Sequence, residues 1–332
     1  MYLASLRFTS GAVVSPDTAL VQTRKGEASL HAATPGVRRK AVDFARRRFP
    51  WNHRASVAVR LLIACATLIG ALPCFAQPAD PNLAHPHAVI TAAREGYTIS
   101  ALVTHEQNAT RFKHGIALFP GYPGIMKLRV ENGEPRFEMA GNFLVRSRRQ
   151  WLDADTLVAV VDAPSDQWAA FSQQFRESPR YGADVAALIS EIARRYAVES
   201  WTFVGTSEGS ITAFHAARMN PQLARRTILT ASVFPPNRNG PGLSNANWAA
   251  LASELLWVHH ADDPCPFTSY RDAQAHAAMT GKPLVTVRGG GPGRGPACEA
   301  RTAHGFAGVE RETVQAMRSW VQTGVVPGDV RP

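Results

Sequence analysis

The stretch "WTFVGTSEGS" at residues 201–210 decides the fold prediction. Its first half is apolar and β-favouring, which predicts a buried strand, and its second half is a cluster of small residues around Ser207. The following residues, "SITAFHAARMN" (210–220), have helical spacing. We therefore predict a strand, a tight turn at Ser207 between Gly205 and Gly209, and a helix. Such a turn is either an ordinary connection or the support of a nucleophilic serine.

Strand-like and helix-like segments alternate on both sides of this turn from about residue 87 onward. Continuous apolar runs such as "TLVAVV" and "LLWVHH" are typical of strands that are buried on both faces of a parallel sheet. Strands are predicted at 87–94, 97–105, 114–121, 156–166, 201–205, 226–234, 255–260 and 283–290, and helices at 181–197, 210–220, 247–254, 269–280 and 308–324.

This alternation implies right-handed crossovers and an α/β fold with one mostly parallel, doubly wound sheet flanked by helices. The Gly/Pro-rich run at 288–299 is interpreted as a long loop. The loop at 234–248 is short, so we expect no large lid domain. No linker after residue 87 divides the chain, and a single domain is predicted over residues 77–332.

A serine hydroxyl is too weakly acidic to attack a carbonyl group unaided, so it needs a general base, and the base needs an orienting acid. On a strand–turn–helix support of this kind, the chain order is serine, then acid, then histidine. Asp262 and Asp263 follow the strand "LLWVHH", and His304 lies between the last strand and the last helix. The order and the structural context both fit a Ser-His-Asp triad.

The chain from about residue 87 to residue 325 resembles an α/β-hydrolase. "FPGYPG" (119–124) is similar to the family's "HGGPG" segment, with Pro where the family has His, and "GTSEGS" and "AHGF" resemble the turn at the nucleophile and the histidine loop. "HHADDPCP" resembles the family's acid loop, in which the catalytic Asp stands three residues before a Pro. That spacing favours Asp263, because Pro266 follows it by three residues. Asp262 remains the alternative acid.

The resemblance implies a role for each of these positions. Ser207 is the nucleophile, His304 is the proton acceptor and donor, and Asp263 fixes the imidazole tautomer. The oxyanion hole would use the backbone N–H groups of Tyr122 and Glu208. We expect the Glu208 side chain to turn outward, because a carboxylate beside the oxyanion would oppose the developing charge.

Two other groups of residues have competing interpretations. His259 and His260 are adjacent on a strand and point to opposite faces, so we interpret them as structural and not as metal ligands. Asp166 and Trp168 either line the pocket or belong to a helix whose N-cap is Ser165, and the second interpretation is favoured.

The net charge of +10 is concentrated in the first 76 residues, which carry eleven Lys/Arg against three Asp/Glu. From Gln77 onward there are 25 against 23, so we expect no nucleic-acid partner. Residues 53–76 have basic residues, an apolar run from Leu61 to Leu72 and a small-residue end, which predicts a secretory signal cleaved after Ala76. Its apolar run is too short for a membrane-spanning helix, although a retained anchor stays an alternative.

Residues 1–52 are polar and Arg-rich without clear periodicity. They are interpreted as a disordered extension or as the product of a start codon assigned too far upstream. With the signal removed, the chain keeps only Cys265 and Cys298, and in an oxidising compartment two cysteines are expected to pair. In the family's fold the loops that carry them are neighbours, so a bridge would brace the acid loop against the histidine loop. Two free thiols are the alternative.

The sequence therefore predicts a periplasmic or secreted serine hydrolase that cleaves a small-molecule carboxylic ester and needs no metal or organic cofactor. An amidase or peptidase of the same fold is the first alternative, because the triad serves both reactions. A non-catalytic binding protein that has kept the fold is the second.

Overall fold

The computed structural model describes residues 87–94, 96–291 and 293–332 of the 332-residue chain. The predictions for the extension (1–52) and for the signal (53–76) lie outside the described residues. So does the start of the domain predicted over 77–332.

One eight-stranded sheet runs through the described part of the chain. In space the strands follow the order β1-β2-β4-β3-β5-β6-β7-β8, and all neighbours are parallel except β1–β2 and β2–β4, which are antiparallel. The predicted α/β class with a mostly parallel sheet is therefore confirmed. The strands are β1 (His87–Arg94), β2 (Tyr97–Thr104), β3 (Phe112–Phe119), β4 (Thr156–Val161), β5 (Val198–Thr206), β6 (Ala224–Thr230), β7 (Glu254–His260) and β8 (Leu284–Val287).

Helices cover both faces of the sheet, because its central strands are apolar on both sides. Apolar residues of α3, α4 and α5 pack in the core on one face, and those of α1 and α6 pack in the core on the other. The helices are α1 (Phe143–Ser147), α2 (Gln173–Arg176), α3 (Pro179–Tyr196), α4 (Glu208–Met219), α5 (Tyr270–Thr280) and α6 (Glu310–Thr323).

Several features differ from the prediction, among them the strands predicted at 226–234 and 283–290, which end at Thr230 and Val287. The helix predicted at 247–254 is only a 3-10 turn at Trp248–Ala250, and the strand predicted at 156–166 ends at Val161. A small hairpin (Arg129–Glu131 with Glu134–Arg136) and the short helices α1 and α2 were not predicted. These elements are too short to show a period.

No lid domain stands between β6 and β7: the loop there holds only the 3-10 turn at Trp248–Ala250. Within the described ranges, none of the helices combines the length and the apolar character that a membrane crossing requires.

Candidate active site

Ser207 lies between the end of β5 and the start of α4, and its backbone is strained. Its φ of 54° and ψ of −126° are values that side-chain-bearing residues rarely adopt. The amide N–H of Ser207 donates to the carbonyl oxygen of Thr230 on β6 (3.1 Å), and Ser210 donates to the carbonyl oxygen of Ser207 through its amide (2.9 Å). The turn is therefore held from both sides, as the support of a nucleophile requires.

The two glycines that flank Ser207 are needed because other backbone passes against them. A Cβ atom on Gly205 would overlap the carbonyl oxygen of Gly209. A Cβ atom on Gly209 would overlap the carbonyl oxygen of Phe119 and lie 2.7 Å from that of Pro120. Glycine at both positions lets α4 start directly against the ends of β3 and β5.

We predict that Gly209→Ala destabilises the protein by about 3 kcal/mol or more, because the new methyl group meets rigid backbone and not a movable side chain. Gly328→Ala is the matched control, since nothing lies within 4 Å of a Cβ atom there. Urea unfolding of both variants measures the free energy of unfolding. Equal values for the two variants would contradict this account of the turn.

Asp263 and His304 form a buried pair at the carboxyl end of the sheet. Nδ1 of His304 lies 3.1 Å from Oδ2 of Asp263, and the side chains are 6% and 0% exposed. The amide N–H of Cys265 donates to the other carboxylate oxygen of Asp263 (2.9 Å). An ionised carboxylate only accepts hydrogen bonds, so the Nδ1 proton points to Asp263 and Nε2 is left to accept a proton.

Thr268 is a member of this group that the sequence analysis missed. Its hydroxyl donates to Oδ2 of Asp263 (2.7 Å) and lies 3.1 Å from Nδ1 of His304. The carboxylate oxygen that orients the imidazole thus accepts from two sides, which fixes its position. Only the spacing of five residues after Asp263 in "DDPCPFT" points to this threonine, and spacing alone is a weak signal.

Asp262, the alternative acid, is exposed and makes no contact with His304. Its amide N–H donates to Nδ1 of His260 (3.1 Å), and Nε2 of His260 lies 2.9 Å from the carbonyl oxygen of Gly289. His259 is fully buried, its Nε2 accepts from the amide N–H of Ser232, and burial lowers its pKa to about 3. Both histidine side chains thus contact backbone groups and have a structural role.

Ser207 and His304 line one cavity of about 990 Å³. Among the residues described, no hydrogen bond joins the Ser207 hydroxyl to the imidazole. Such bonds are often long before substrate binds and tighten in the complex. The cavity thus contains the predicted nucleophile and base, and Asp263 lies behind the base.

The segment after β3 passes directly beside Ser207. A Cβ atom on Gly121 would lie 3.0 Å from Cβ of Ser207 and 3.1 Å from the carbonyl oxygen of Thr206. Tyr122 and Glu208 both line the cavity, and neither of their amide N–H groups has an acceptor within the described part of the chain. Two free N–H donors beside a serine are what an oxyanion hole needs.

Asp162, at the end of β4, fastens this segment, which we call the oxyanion loop (residues 120–128). Its carboxylate accepts from the amide N–H groups of Met126 (2.6 Å) and Leu128 (2.7 Å). Asp162 is 1% exposed, and burial raises the pKa of its carboxyl to about 6 although the amide donors oppose the shift. Asp162 was not among the predicted site residues.

Arg176 connects the oxyanion loop to α4 by forming a hydrogen bond with each of them. Its guanidinium donates to the carbonyl oxygen of Pro123 (2.8 Å) and to the Thr212 hydroxyl (2.7 Å), and it lies 3.8 Å above the ring centre of Phe171. Burial lowers its pKa to about 10, partly offset by the charge of Glu208. The guanidinium therefore stays charged at neutral pH.

The expectation that Glu208 turns outward is wrong. Its carboxylate is 10% exposed, lies 3.6 Å from the Arg176 guanidinium and accepts a hydrogen bond from the Asn239 side chain. The buried Arg176 supplies a compensating charge that nothing local in the sequence reveals. The charge of the Glu208 carboxylate is therefore compensated by Arg176.

Cys265 and Cys298 form a disulfide, as predicted, with their Cα atoms 4.6 Å apart. Cys265 is buried two residues after Asp263, and Cys298 is exposed on the Gly-rich loop that leads to His304. Both cysteines line the cavity. The bond joins the acid loop to the histidine loop and is compatible with an oxidising compartment.

We expect the double variant Cys265→Ser/Cys298→Ser to unfold with a free energy about 3–4 kcal/mol below that of the parent, because 33 residues separate the two cysteines. Denaturant unfolding measures the difference. Dithiothreitol should lower the stability of the parent and leave that of the variant unchanged. The variant is therefore the control for other effects of the reductant. A parent insensitive to the reductant would contradict the expected contribution.

The remaining candidates lie away from the cavity. Ser165 is not a helix N-cap: its hydroxyl accepts from the amide N–H of Thr98 (3.0 Å). Asp166 pairs with Arg180 (2.6 Å), and the indole N–H of Trp168 donates to a backbone carbonyl. Across the described ranges, no cluster of three or more His, Cys, Asp or Glu residues is arranged to hold a metal ion.

No protein-family description matches this chain, and no curated protein matches it either. Solved structures with a similar fold include an α/β serine hydrolase without a lid from Xanthomonas campestris (12% identity, 75% of this chain and 100% of that chain, TM-score 0.46). Est1E from Butyrivibrio proteoclasticus is also similar (12%, 72% and 100%, TM-score 0.48). A dienelactone hydrolase from Anabaena variabilis is a third (12%, 73% and 98%, TM-score 0.47).

These neighbours are α/β hydrolases, the fold that the sequence resemblance implied. At 12% identity and TM-scores below 0.5 they do not assign a reaction. The reaction has to be inferred from the residues of the cavity itself.

Proposed function

We propose that this protein is a serine hydrolase that cleaves carboxylic esters through an acyl-enzyme. The observation that carries the proposal is the buried Asp263–His304 pair, whose imidazole lines the same cavity as the strained Ser207. A site with no catalytic task has no use for a strained serine, a base and an orienting acid in this order.

In the proposed reaction, Oγ of Ser207 bonds to the ester carbonyl carbon while Nε2 of His304 takes its proton. The carbonyl oxygen becomes an oxyanion that accepts from the amide N–H groups of Tyr122 and Glu208. When the C–O bond to the alcohol breaks, His304 returns the proton to the departing oxygen. Water, activated by His304, then attacks the acyl-enzyme and releases the acid and free Ser207.

A fluorophosphonate probe tests this proposal, because it reacts only with an activated serine. We expect one equivalent of label per chain, located at Ser207 by peptide mass mapping. Labelling elsewhere or no labelling would favour a binding protein that has kept the fold. A panel of nitrophenyl esters and aminoacyl anilides then separates the esterase from the amidase, since faster anilide cleavage would replace the ester assignment.

We also propose that the protein works outside the cytoplasm, in the periplasm or secreted. The disulfide supports this location, because such bonds persist in oxidising compartments. N-terminal sequencing of the protein from its source cells tests it, with Gln77 as the expected first residue. A cytoplasmic protein with an intact N-terminal region would contradict it.

A further inference from the structure

We propose that the cavity selects esters that carry an additional anionic group, a carboxylate or a phosphate. This inference rests on the proposed esterase function and names the substrate class of the same site. Its basis is a group of three arginines, Arg238, Arg294 and Arg301, which we call the arginine rim.

The residues of the arginine rim come from two loops that border the cavity. Arg294 and Arg301 lie next to each other on the loop that leads to His304, because the amide N–H of Arg294 donates to the carbonyl oxygen of Arg301 (2.8 Å). Arg238 comes from the loop after β6, and its guanidinium carbon lies 5.9 Å from the ring centre of Tyr122 in the oxyanion loop. The three charges thus lie along both loops that border the reacting groups.

No acidic side chain of the described residues forms an ion pair with the rim. In the part of the chain that the structure describes, none of the three has a carboxylate within 4 Å, in contrast to Arg180, which pairs with Asp166. Arg294 and Arg301 are also hydrogen-bonded to each other through their backbones, so two of the charges come from neighbouring positions of one loop. Unpaired guanidinium groups bind carboxylate and phosphate groups with good geometry.

The acidic residues of the cavity do not cancel the rim. The cavity lining includes two, Glu208 and Glu299. Glu208 is already bound by Arg176 and Asn239, so its charge is compensated from below. One carboxylate, that of Glu299, therefore faces three guanidinium groups. Cationic groups thus outnumber the uncompensated carboxylate in the cavity lining, which favours an anionic substrate over a neutral one.

Three matched esters test the inference: 4-nitrophenyl butyrate, which is neutral, mono-(4-nitrophenyl) glutarate, with an anionic acyl group, and 4-butyryloxybenzoate, with an anionic leaving group. We expect kcat/KM, corrected for intrinsic alkaline hydrolysis rates, to be at least tenfold higher for one of the two anionic esters. The preference should shrink between 20 and 500 mM NaCl, because exposed charges are screened by salt.

Substitutions then assign the preference to the rim. Each single Arg→Gln change should lower kcat/KM for the preferred anionic ester about threefold and leave the butyrate unchanged. The triple variant Arg238→Gln/Arg294→Gln/Arg301→Gln should abolish the preference. The matched control, Arg225→Gln/Arg271→Gln/Arg331→Gln, removes the same charge from exposed positions outside the cavity and should keep it.

The outcomes separate the two proposals. If the butyrate and both anionic esters are cleaved with equal corrected efficiency, or if the control triple variant loses the preference as well, the anionic subsite is wrong and the esterase assignment stands. If no ester is cleaved and no fluorophosphonate label is found, the proposed function itself fails.

Discussion

Replacing Ser207 with alanine is expected to lower kcat for ester hydrolysis by about 10⁵-fold or more and to abolish fluorophosphonate labelling. The variant removes the only atom that would bond to the acyl group and leaves the rest of the site in place. The φ of 54° at residue 207 costs alanine about as much conformational energy as serine, so we expect the backbone to keep this value. The loss should therefore be purely chemical.

Denaturant unfolding and near-UV circular dichroism of Ser207→Ala check that the fold is unchanged. Ser319→Ala is the matched control, because Ser319 is exposed on α6 and is not one of the residues that line the cavity. It should keep full activity and full labelling. Retention of more than about one hundredth of the parent activity by Ser207→Ala would contradict the acyl-enzyme mechanism.

Asp263→Asn is expected to lower kcat by about 10⁴-fold while binding of substrate changes little. Oδ2 of Asp263 accepts from the Thr268 hydroxyl and faces Nδ1 of His304. An amide NH₂ at that place is a donor, so it turns Nδ1 into the acceptor and moves the imidazole proton to Nε2. A protonated Nε2 cannot take the proton of the serine hydroxyl.

Asp262→Asn provides the control at the neighbouring position. It makes the same chemical change one residue earlier, where the side chain is exposed and does not contact His304. Its kcat should stay within twofold of the parent. Steady-state kinetics of the two variants decide between the two candidate acids, and a larger loss from Asp262→Asn would reverse the assignment.

The sequence predicted the sheet, its main helices and the order of Ser207, Asp263 and His304 because these features are local. The apolar run of β5 and the helical spacing of α4 are visible in neighbouring residues, and so are the small residues between them. Together with the family resemblance, that pattern was sufficient to predict the arrangement that the structure has. Ser207 and His304 line one cavity, and Asp263 contacts His304.

The errors come from partners that are far apart along the chain. Glu208 was expected to face outward because nothing near it in sequence compensates its charge, whereas Arg176, 32 positions earlier, does so in the fold. Ser165 accepts from Thr98, 67 residues away, and not from a helix of its own. Such pairings have no periodic signal, so the sequence of one chain does not reveal them.

The buried guanidinium of Arg176 limits how this site can be redesigned. It joins the oxyanion loop to α4, the two segments that carry the proposed oxyanion donors, and it is itself almost fully buried. Removal of the Glu208 carboxylate alone would leave the positive charge of Arg176 buried and unpaired. An engineer who wants to change the charge beside Ser207 therefore has to exchange Arg176 and Glu208 together.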